Sequence, residues 1–177
     1  MRTLGVSIPS YPRPLPLALA VVLIVLLSAC GITERFSVSP ASFDRNNAQR
    51  QAWEALGITS YRSLIEVERY NERRRVEVVV QDGQIVRVTL RYWNDETRDW
   101  DPPQELTGQR AEPYTVPGLF GMVGGELAGQ QRNVAVRYDD QYAFPVLIRL
   151  GNVHDQDGTV LPDTEVTVRV LKFEPLR

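Results

Sequence analysis

The stretch Val76–Leu90 reads VEVVVQDGQIVRVTL, two valine-rich runs separated by Asp82 and Gly83. Apolar and polar residues alternate in both runs, and a period of two is typical of a half-buried β-strand. An Asp-Gly pair between two such runs is a strong signal for a tight turn. The stretch therefore predicts a β-hairpin.

The register of this hairpin depends on the length of its loop. A two-residue loop would place Val78 opposite Arg87 and mix charged and apolar residues on one face. A three-residue loop, Gln81–Gly83, instead places glycine at the left-handed bulge position and keeps the apolar face intact. The predicted pairs are then Val78 with Val86, Val76 with Val88, and Glu77 with Arg87.

Four further segments resemble strands. Residues from Ser60 alternate in the same way, with Tyr61, Ser63, Ile65 and Val67 on one face. Asn71 to Arg74 is interpreted as the turn that follows, and Arg73-Arg74-Arg75 as its solvated flank, with a phosphate or headgroup site as the less favoured alternative. The remaining predicted strands are Asn133–Tyr138, Phe144–Leu150 and Thr164–Lys172.

Two helices are predicted, one before each group of three strands. Ser42 or Asp44 caps the first, and Gly57 ends it at a left-handed position. Its apolar stripe is predicted to be Ala48, Ala52 and Leu56. Thr115 caps the second, Val116–Ala128, whose stripe is Leu119, Phe120, Val123 and Leu127. The fold class is therefore α+β, a single domain with a mainly antiparallel sheet of about six strands and two helices, in the order helix–three strands, twice.

The N-terminus has the features of a secretory leader. Arg2 and Arg13 accompany an apolar run, Leu15–Leu27, that is too short to span a membrane as a helix. Leu27-Ser28-Ala29-Cys30 resembles the lipobox of bacterial lipoproteins, which implies cleavage before Cys30 and acylation of its thiol. An uncleaved anchor and ordinary secretion are the alternatives.

This resemblance divides the chain into three parts. Residues 1–29 are the predicted signal peptide, 30–42 a flexible tether after lipidated Cys30, and 43–177 the domain. The expected location is the extracytoplasmic face of a bacterial membrane, with the membrane itself as a partner through the N-terminal lipid. Removal of residues 1–29 leaves 18 basic and 22 acidic residues, a formal charge of −4. Such a balance gives no electrostatic footprint for nucleic acid, so no nucleic-acid partner is expected.

The sequence contains no recognisable catalytic or metal-binding constellation. A nucleophilic triad would have to join His154 to Ser60 or Ser63, and no G-x-S-x-G motif is present. His154–Gly158 imitates part of a calcium loop but lacks key ligands at its first and last positions. The acidic residues Asp95, Glu96, Asp99 and Asp101 have no ligand spacing. No catalytic residue, metal or cofactor is therefore predicted.

Residues 93–114 interrupt the strand pattern and are predicted to form a long loop, and loops of this length in compact domains are often functional. This loop and the turn Tyr138–Pro145 mix aromatic and hydrogen-bonding groups, a composition that suits contact with a partner. The candidate partner-binding residues are Trp93, Asp99, Trp100, Asp101, Tyr142 and Phe144. Alternatively, Trp93 and Trp100 fold back as a lid over the open face of the sheet.

Several segments, in this order, resemble the domain of unknown function 6174 family. They are Trp53 before Tyr61, Val78–Val86, Tyr114-Thr115-Val116 before Leu119-Phe120, Tyr138-Asp139 with Tyr142–Pro145, and Asp163–Val166. The similarity spans about Ala48 to Phe173. The chain has Ala143 where the family often has glycine, and it lacks the cysteine pair that many members carry near the first strand. The resemblance implies an extracytoplasmic bacterial lipoprotein domain and no particular activity.

Two kinds of function therefore remain open. The first is a binding or interaction module that contacts an envelope protein or glycan. The second is a carboxylate-based envelope enzyme or an accessory subunit of one, which would need a pocket with carboxyl groups of raised pKa. A purely structural spacer domain is the third interpretation.

Overall fold

The computed structural model describes residues 38–106 and 110–176. The two helices are α1 (Phe43–Ala55) and α2 (Val116–Gly129), and a 3-10 helix at Glu112–Tyr114 precedes α2. The strands are β1 (Ser39–Pro40), β2 (Tyr61–Arg69), β3 (Glu72–Gln81), β4 (Gln84–Asn94), β5 (Asp99–Trp100), β6 (Gln104–Glu105), β7 (Val134–Tyr138), β8 (Pro145–Leu150), β9 (Val153–His154), β10 (Val160–Leu161) and β11 (Val166–Pro175).

Nine of these strands form one antiparallel sheet in the order β1-β7-β8-β11-β2-β3-β4-β5, with β6 also paired to β4. Strands β9 and β10 form a separate hairpin. The α+β class, the two helices and the mainly antiparallel sheet are confirmed. The predicted number of about six strands was too low. The predicted number equals the number of long strands, which have five or more residues each. The five other strands have two residues each and are too short to show an alternation of apolar and polar residues.

The hairpin of β3 and β4 exists, but its predicted register was wrong. Asp82 and Gly83 both have positive φ and form a two-residue turn, with Gln81 opposite Gln84. The extra residue lies in β4, where the register shifts at Val86 and leaves that side chain 52% exposed. This bulge places Val78 opposite Val88 and Glu77 opposite Thr89, so the apolar face is preserved by a different device.

Helix α1 begins as predicted but buries a different face. The Ser42 side chain accepts a hydrogen bond from the Arg45 backbone N–H at 3.3 Å. The predicted stripe of Ala48, Ala52 and Leu56 is exposed, and the buried residues are Asn46 and Trp53. The stripe was wrong because a buried asparagine contributes no apolar signal to the pattern.

The buried side chain of Asn46 connects α1 to α2 and to β7. Its Nδ2 donates to the Phe120 carbonyl of α2 at 3.3 Å, and its Oδ1 accepts from the Tyr138 hydroxyl of β7 at 3.1 Å. A buried amide that is hydrogen-bonded on both sides avoids the cost of an unsatisfied polar group. The asparagine therefore fixes α1 against α2 and the sheet.

Helix α2 lies against the 3-10 helix that precedes it. The Thr115 hydroxyl accepts from the Gly118 backbone N–H at 3.0 Å, so the predicted cap is confirmed. A Cβ atom at Gly118 would overlap the carbonyl oxygen of Glu112, so this glycine permits the close approach. Leu119, Phe120 and Val123 are buried, as the stripe predicted, and Leu127 is partly buried.

The domain begins earlier in the chain than residue 43. Ser39 lies opposite Val136, and Pro40 opposite Ala135, so the last residues of the predicted tether are paired with β7. The predicted signal peptide 1–29 and the lipidation residue Cys30 lie outside the described residues. Within the described part of the chain, no helix is long and apolar enough to cross a membrane.

Candidate functional site

The two faces of the sheet have different chemistry. The face that carries Tyr61, Ile65 and Val67 packs against the helices and forms the apolar core. Alternation along β2 sends Glu66 and Glu68 to the opposite face. We call this second side the open face.

The pairing of neighbouring strands places one continuous line of side chains across the open face. Opposite residues in neighbouring strands share a face, so the pairing fixes which side chains lie side by side. This central row consists of Arg137, Leu147, Arg169, Glu66, Arg75 and Arg91, from β7, β8, β11, β2, β3 and β4. Its neighbour, the second row, consists of Ala135, Arg149, Thr167, Glu68 and Arg73.

These two rows concentrate positive charge in a chain whose formal charge is −2. They contain six arginines and two glutamates, a net formal charge of +4. Arg75 lies directly opposite Arg91, and like charges at opposed positions destabilise a sheet. The arrangement is thus not one that sheet stability alone would favour.

Glu66 lies under the arginines of the central row and is only 2% exposed. Its carboxylate accepts hydrogen bonds from Arg73 Nη2 at 3.0 and 3.1 Å and from Arg75 Nε at 2.9 Å. Arg169 Nη1 lies 3.5 Å from Oε1 of the same carboxylate. One buried carboxylate therefore holds three guanidinium groups in place.

The pKa of Glu66 is shifted by two opposing causes. Burial alone would raise it, but the hydrogen bonds and positive charges of Arg73 and Arg75 outweigh burial and lower the pKa below its ordinary value. The group is therefore ionised at neutral pH. It acts as a fixed counter-charge and not as a proton donor.

Two tryptophans border the arginines at the edge of the sheet. Trp93 of β4 lies opposite Trp100 of β5, with ring centroids 5.4 Å apart in an edge-to-face arrangement. The Arg75 guanidinium lies 4.2 Å from the Trp100 ring centroid, and that of Arg73 lies 5.4 Å from it. Arg73 is also 5.6 Å from the centroid of Trp93. These distances are within the range of cation–π attraction.

Arg91, at the same edge, is held by backbone carbonyls. Its Nε donates to the Asp101 carbonyl at 2.8 Å, and its Nη2 donates to the Trp100 carbonyl at 3.2 Å. These bonds tie the segment after β5 to β4. They also position a guanidinium that has no carboxylate opposite it.

The structure brings together four of the predicted partner-binding residues. Trp93, Asp99, Trp100 and Asp101 lie in or beside the short hairpin of β4 and β5, so the predicted loop 93–114 is partly strand. Asp99 is exposed, and its Oδ1 accepts from the Trp100 backbone N–H at 2.7 Å. Asp101 is half-buried, and its Oδ1 accepts from Asn94 Nδ2 at 3.4 Å.

The other two predicted residues belong to the aromatic core on the helix side. Phe144 is 1% exposed and packs edge-to-face on Trp53, with centroids 5.8 Å apart. Tyr142 is half-buried against Phe144 and Phe173. The intervening Ala143 has φ of +60°, a left-handed conformation that glycine adopts more readily. Phe144 is thus a packing residue and does not form part of the same surface as the tryptophans.

The residues at the centre of this surface were not predicted from the sequence; they are Glu66, Arg73, Arg75 and Arg169. Arg73 and Arg75 were assigned to a turn, but β3 begins at Glu72 and both arginines are strand residues. The alternation from Val76 extends back through them, and this was the signal that could have identified their face.

A second feature of the molecule is an open groove of about 1020 Å³ on the helix side. Trp53, Ile85, Pro113 and Met122 are among its apolar lining residues. The Tyr61 hydroxyl in this groove accepts from the Val116 backbone N–H at 3.0 Å, and burial raises its pKa. The Thr115 hydroxyl is also engaged, so these two hydroxyls serve the start of α2.

The residues weighed for metal or nucleophilic chemistry have structural surroundings. His154 is exposed in β9, and Asp155 Oδ1 accepts from the backbone N–H groups of Asp157 and Thr159 within the β9–β10 turn. Among residues 38–106 and 110–176, no three His, Cys, Asp or Glu side chains form a group that could hold a metal ion. The carboxylates of Asp95, Glu96, Asp99 and Asp101 therefore do not form a metal site among these residues.

Comparison with known proteins gives a family without an assigned activity. No curated protein matches the chain, and no solved structure matches it either. A family model, described as "Family of unknown function (DUF6174)", matches residues 45–175, which confirms the resemblance drawn from the sequence. The chain therefore belongs to the DUF6174 family.

Proposed function

We propose that the protein is a membrane-anchored extracytoplasmic interaction module. Acylated Cys30 attaches it to a bacterial membrane, and the folded domain contacts an envelope protein or glycan through its open face. The contact surface includes the central and second rows together with Trp93, Asp99, Trp100 and Asp101.

One observation carries this proposal. The open face holds arginines that stability alone does not require. One buried carboxylate, Glu66, contacts three of them, and two of these, Arg73 and Arg75, lie beside a tryptophan pair. Arginine and tryptophan are enriched at binding surfaces, and side chains fixed in advance lose less entropy when a partner binds. The resemblance of Leu27-Ser28-Ala29-Cys30 to a lipobox supports the proposed location.

The alternative of a carboxylate enzyme receives less support from the described residues. The carboxyl groups whose pKa is shifted there are Glu66 and Glu174, and both are shifted downward. For Glu174, the hydrogen bond and charge of Lys172 are the main cause. A general acid would need a raised pKa. The spacer interpretation does not account for six arginines on one face.

Site-specific photocrosslinking in intact cells tests the proposal. A photoreactive residue at Arg149, exposed in the second row, is compared with one at Ala48, exposed on α1. We expect a defined adduct from position 149 and none from position 48. Adducts from both positions, or from 48 alone, would contradict the proposed surface. Mass spectrometry of the mature N-terminus separately tests whether Cys30 is acylated.

A further inference from the structure

We propose that the partner of the open face is a linear anionic polysaccharide of the envelope, which lies along the central row across the strands. This inference rests on the proposed function and names the chemistry of its partner. The anionic groups of the polymer would pair with guanidinium N–H groups that Glu66 does not use.

The distribution of the arginines favours a polymer over a small anion. Arg137 and Arg91 lie at the two ends of a row that crosses six strands. Neighbouring strands are about 4.8 Å apart, so the row extends over roughly 24 Å. Arg169 and Arg75 lie between the ends, on either side of Glu66. The charges are therefore spread along a line and do not converge on one point.

The guanidinium donors of Arg75 and Arg149 are only partly used among the described residues. A guanidinium has five N–H donors. Arg75 donates to Glu66 from Nε, and within residues 38–106 and 110–176 both of its terminal nitrogens remain for another acceptor. Arg149, in the second row, is exposed and has no ion pair among the described residues. Such groups bind carboxylate or phosphate oxygens in a planar, often bidentate manner.

The composition of the open face favours a glycan over a protein. Protein interfaces have a buried apolar centre. The two rows contain one large apolar residue, Leu147, and it is already buried within the domain, with 5% of its surface exposed. The tryptophan pair lies beside the β4 end of the two rows, where it can pack on the apolar face of a sugar ring. Arginine, threonine and glutamate side chains nearby match the hydroxyl groups of a polysaccharide.

Interspersed acidic residues argue against more highly charged or planar partners. Glu68 of the second row is 41% exposed, and Glu77 and Glu105 lie on the adjacent part of the open face. These carboxylates would repel the dense phosphates of a nucleic acid. They would equally oppose flat contact with an anionic lipid surface. A single polysaccharide chain with one carboxylate per sugar carries less charge per unit length than a duplex, and it can turn its carboxylates away from these acidic residues.

Binding to a defined probe tests the inference. The purified full chain is titrated with fluorescent oligogalacturonate, which carries one carboxylate per sugar, and with a neutral maltooligosaccharide of equal length. Polyglutamate, oligothymidylate and phosphatidylglycerol vesicles serve as anionic competitors of other classes. We expect saturable binding of oligogalacturonate, weakened by added salt, and no binding of the neutral sugar.

Two charge reversals locate the site. Arg149→Glu changes an exposed residue of the second row, and Arg45→Glu changes an exposed residue of α1. We expect the first to weaken oligogalacturonate binding about five- to tenfold, and the second to change it less than about twofold. Equal effects of the two variants, absence of binding, or tighter binding of any competitor would overturn the inference. An open-face crosslink in cells without oligogalacturonate binding would reject the glycan and leave the interaction module intact.

Discussion

The guanidinium of Arg75 lies 4.2 Å from the centroid of the Trp100 ring. The same group donates to the buried carboxylate of Glu66 at 2.9 Å, so it is fixed on two sides. A mobile arginine would lose considerable side-chain entropy on binding. Because Arg75 is already held by two contacts, it would lose less side-chain entropy on binding of the proposed partner.

The first prediction concerns Glu66, the counter-charge of the rows. Glu66→Gln removes the charge that holds Arg73, Arg75 and Arg169, and we expect a loss of about 1–3 kcal/mol in the free energy of unfolding at pH 7. Urea unfolding measures this loss. Glu68→Gln, at a carboxylate that is 41% exposed, is the matched control and should cost less than about 1 kcal/mol.

The pH dependence of the free energy of unfolding tests the same stabilising effect of ionised Glu66. The pKa of Glu66 is lowered in the folded protein, mainly by Arg73 and Arg75 acting against burial. Its stabilisation is therefore complete above its ordinary pKa and is lost as the pH falls through the lowered one. The difference in stability between wild type and Glu66→Gln should shrink as the pH falls below the ordinary glutamate value of 4.5. A difference that grows in acid would contradict this linkage.

The second prediction concerns Trp100. Trp100→Ala removes the ring beside Arg75 and Arg73 and the edge-to-face contact with Trp93, and we expect a loss of about 1–3 kcal/mol in thermal or urea unfolding. Tyr70→Ala, at an aromatic residue that is 68% exposed, is the control and should change stability by less than about 0.5 kcal/mol. An unchanged midpoint for Trp100→Ala would mean that the tryptophan does not support the arginines.

The third prediction tests the bulge in β4. Val78 is fully buried opposite Val88, whereas Val86 is 52% exposed at the register shift. Val78→Ala should destabilise the protein by about 1–3 kcal/mol, and Val86→Ala by less than about 0.5 kcal/mol. Similar losses from both variants would favour the three-residue loop, in which these two valines face each other.

The fourth prediction compares two adjacent asparagines in α1. Asn46 is buried and hydrogen-bonded to Phe120 and Tyr138, while Asn47 is exposed. Asn46→Ala leaves a buried carbonyl and a hydroxyl without their partner, so we expect a loss of about 2–4 kcal/mol. Asn47→Ala should be neutral or slightly stabilising, because alanine favours a helix. Calorimetric midpoints of the two variants decide between these expectations.

The fold could be predicted where local pattern and tertiary structure agree. The valine alternation of Val76–Leu90 identified the hairpin because its buried face is apolar throughout. Its register could not be predicted, since an added residue at Val86 and an added loop residue both keep the valines on one face. The buried face of α1 was missed because Asn46 is polar and is satisfied only by groups distant in sequence.

The candidate site could be predicted only at its edge. Trp93 and Trp100 were identified because the predicted loop 93–114 has an unusual mixture of aromatic and acidic residues. The central row was missed because Arg169 and Glu66 are brought together by strand pairing across about a hundred residues of chain. Such a pairing has no local signature, and a single arginine in an alternating strand is typical of an ordinary solvated face.

The most direct test of the open face is a comparison of arginine reactivity in the cell envelope and in solution. Phenylglyoxal modifies exposed guanidinium groups, and mass spectrometry measures the modified fraction at each residue. Arg149 and Arg169 lie on the open face, while Arg45 and Arg98 lie outside both rows. We predict that Arg149 and Arg169 are protected in the envelope and reactive in the purified protein, with Arg45 and Arg98 equally reactive in both. Equal reactivity of all four in the envelope and in solution would contradict the account.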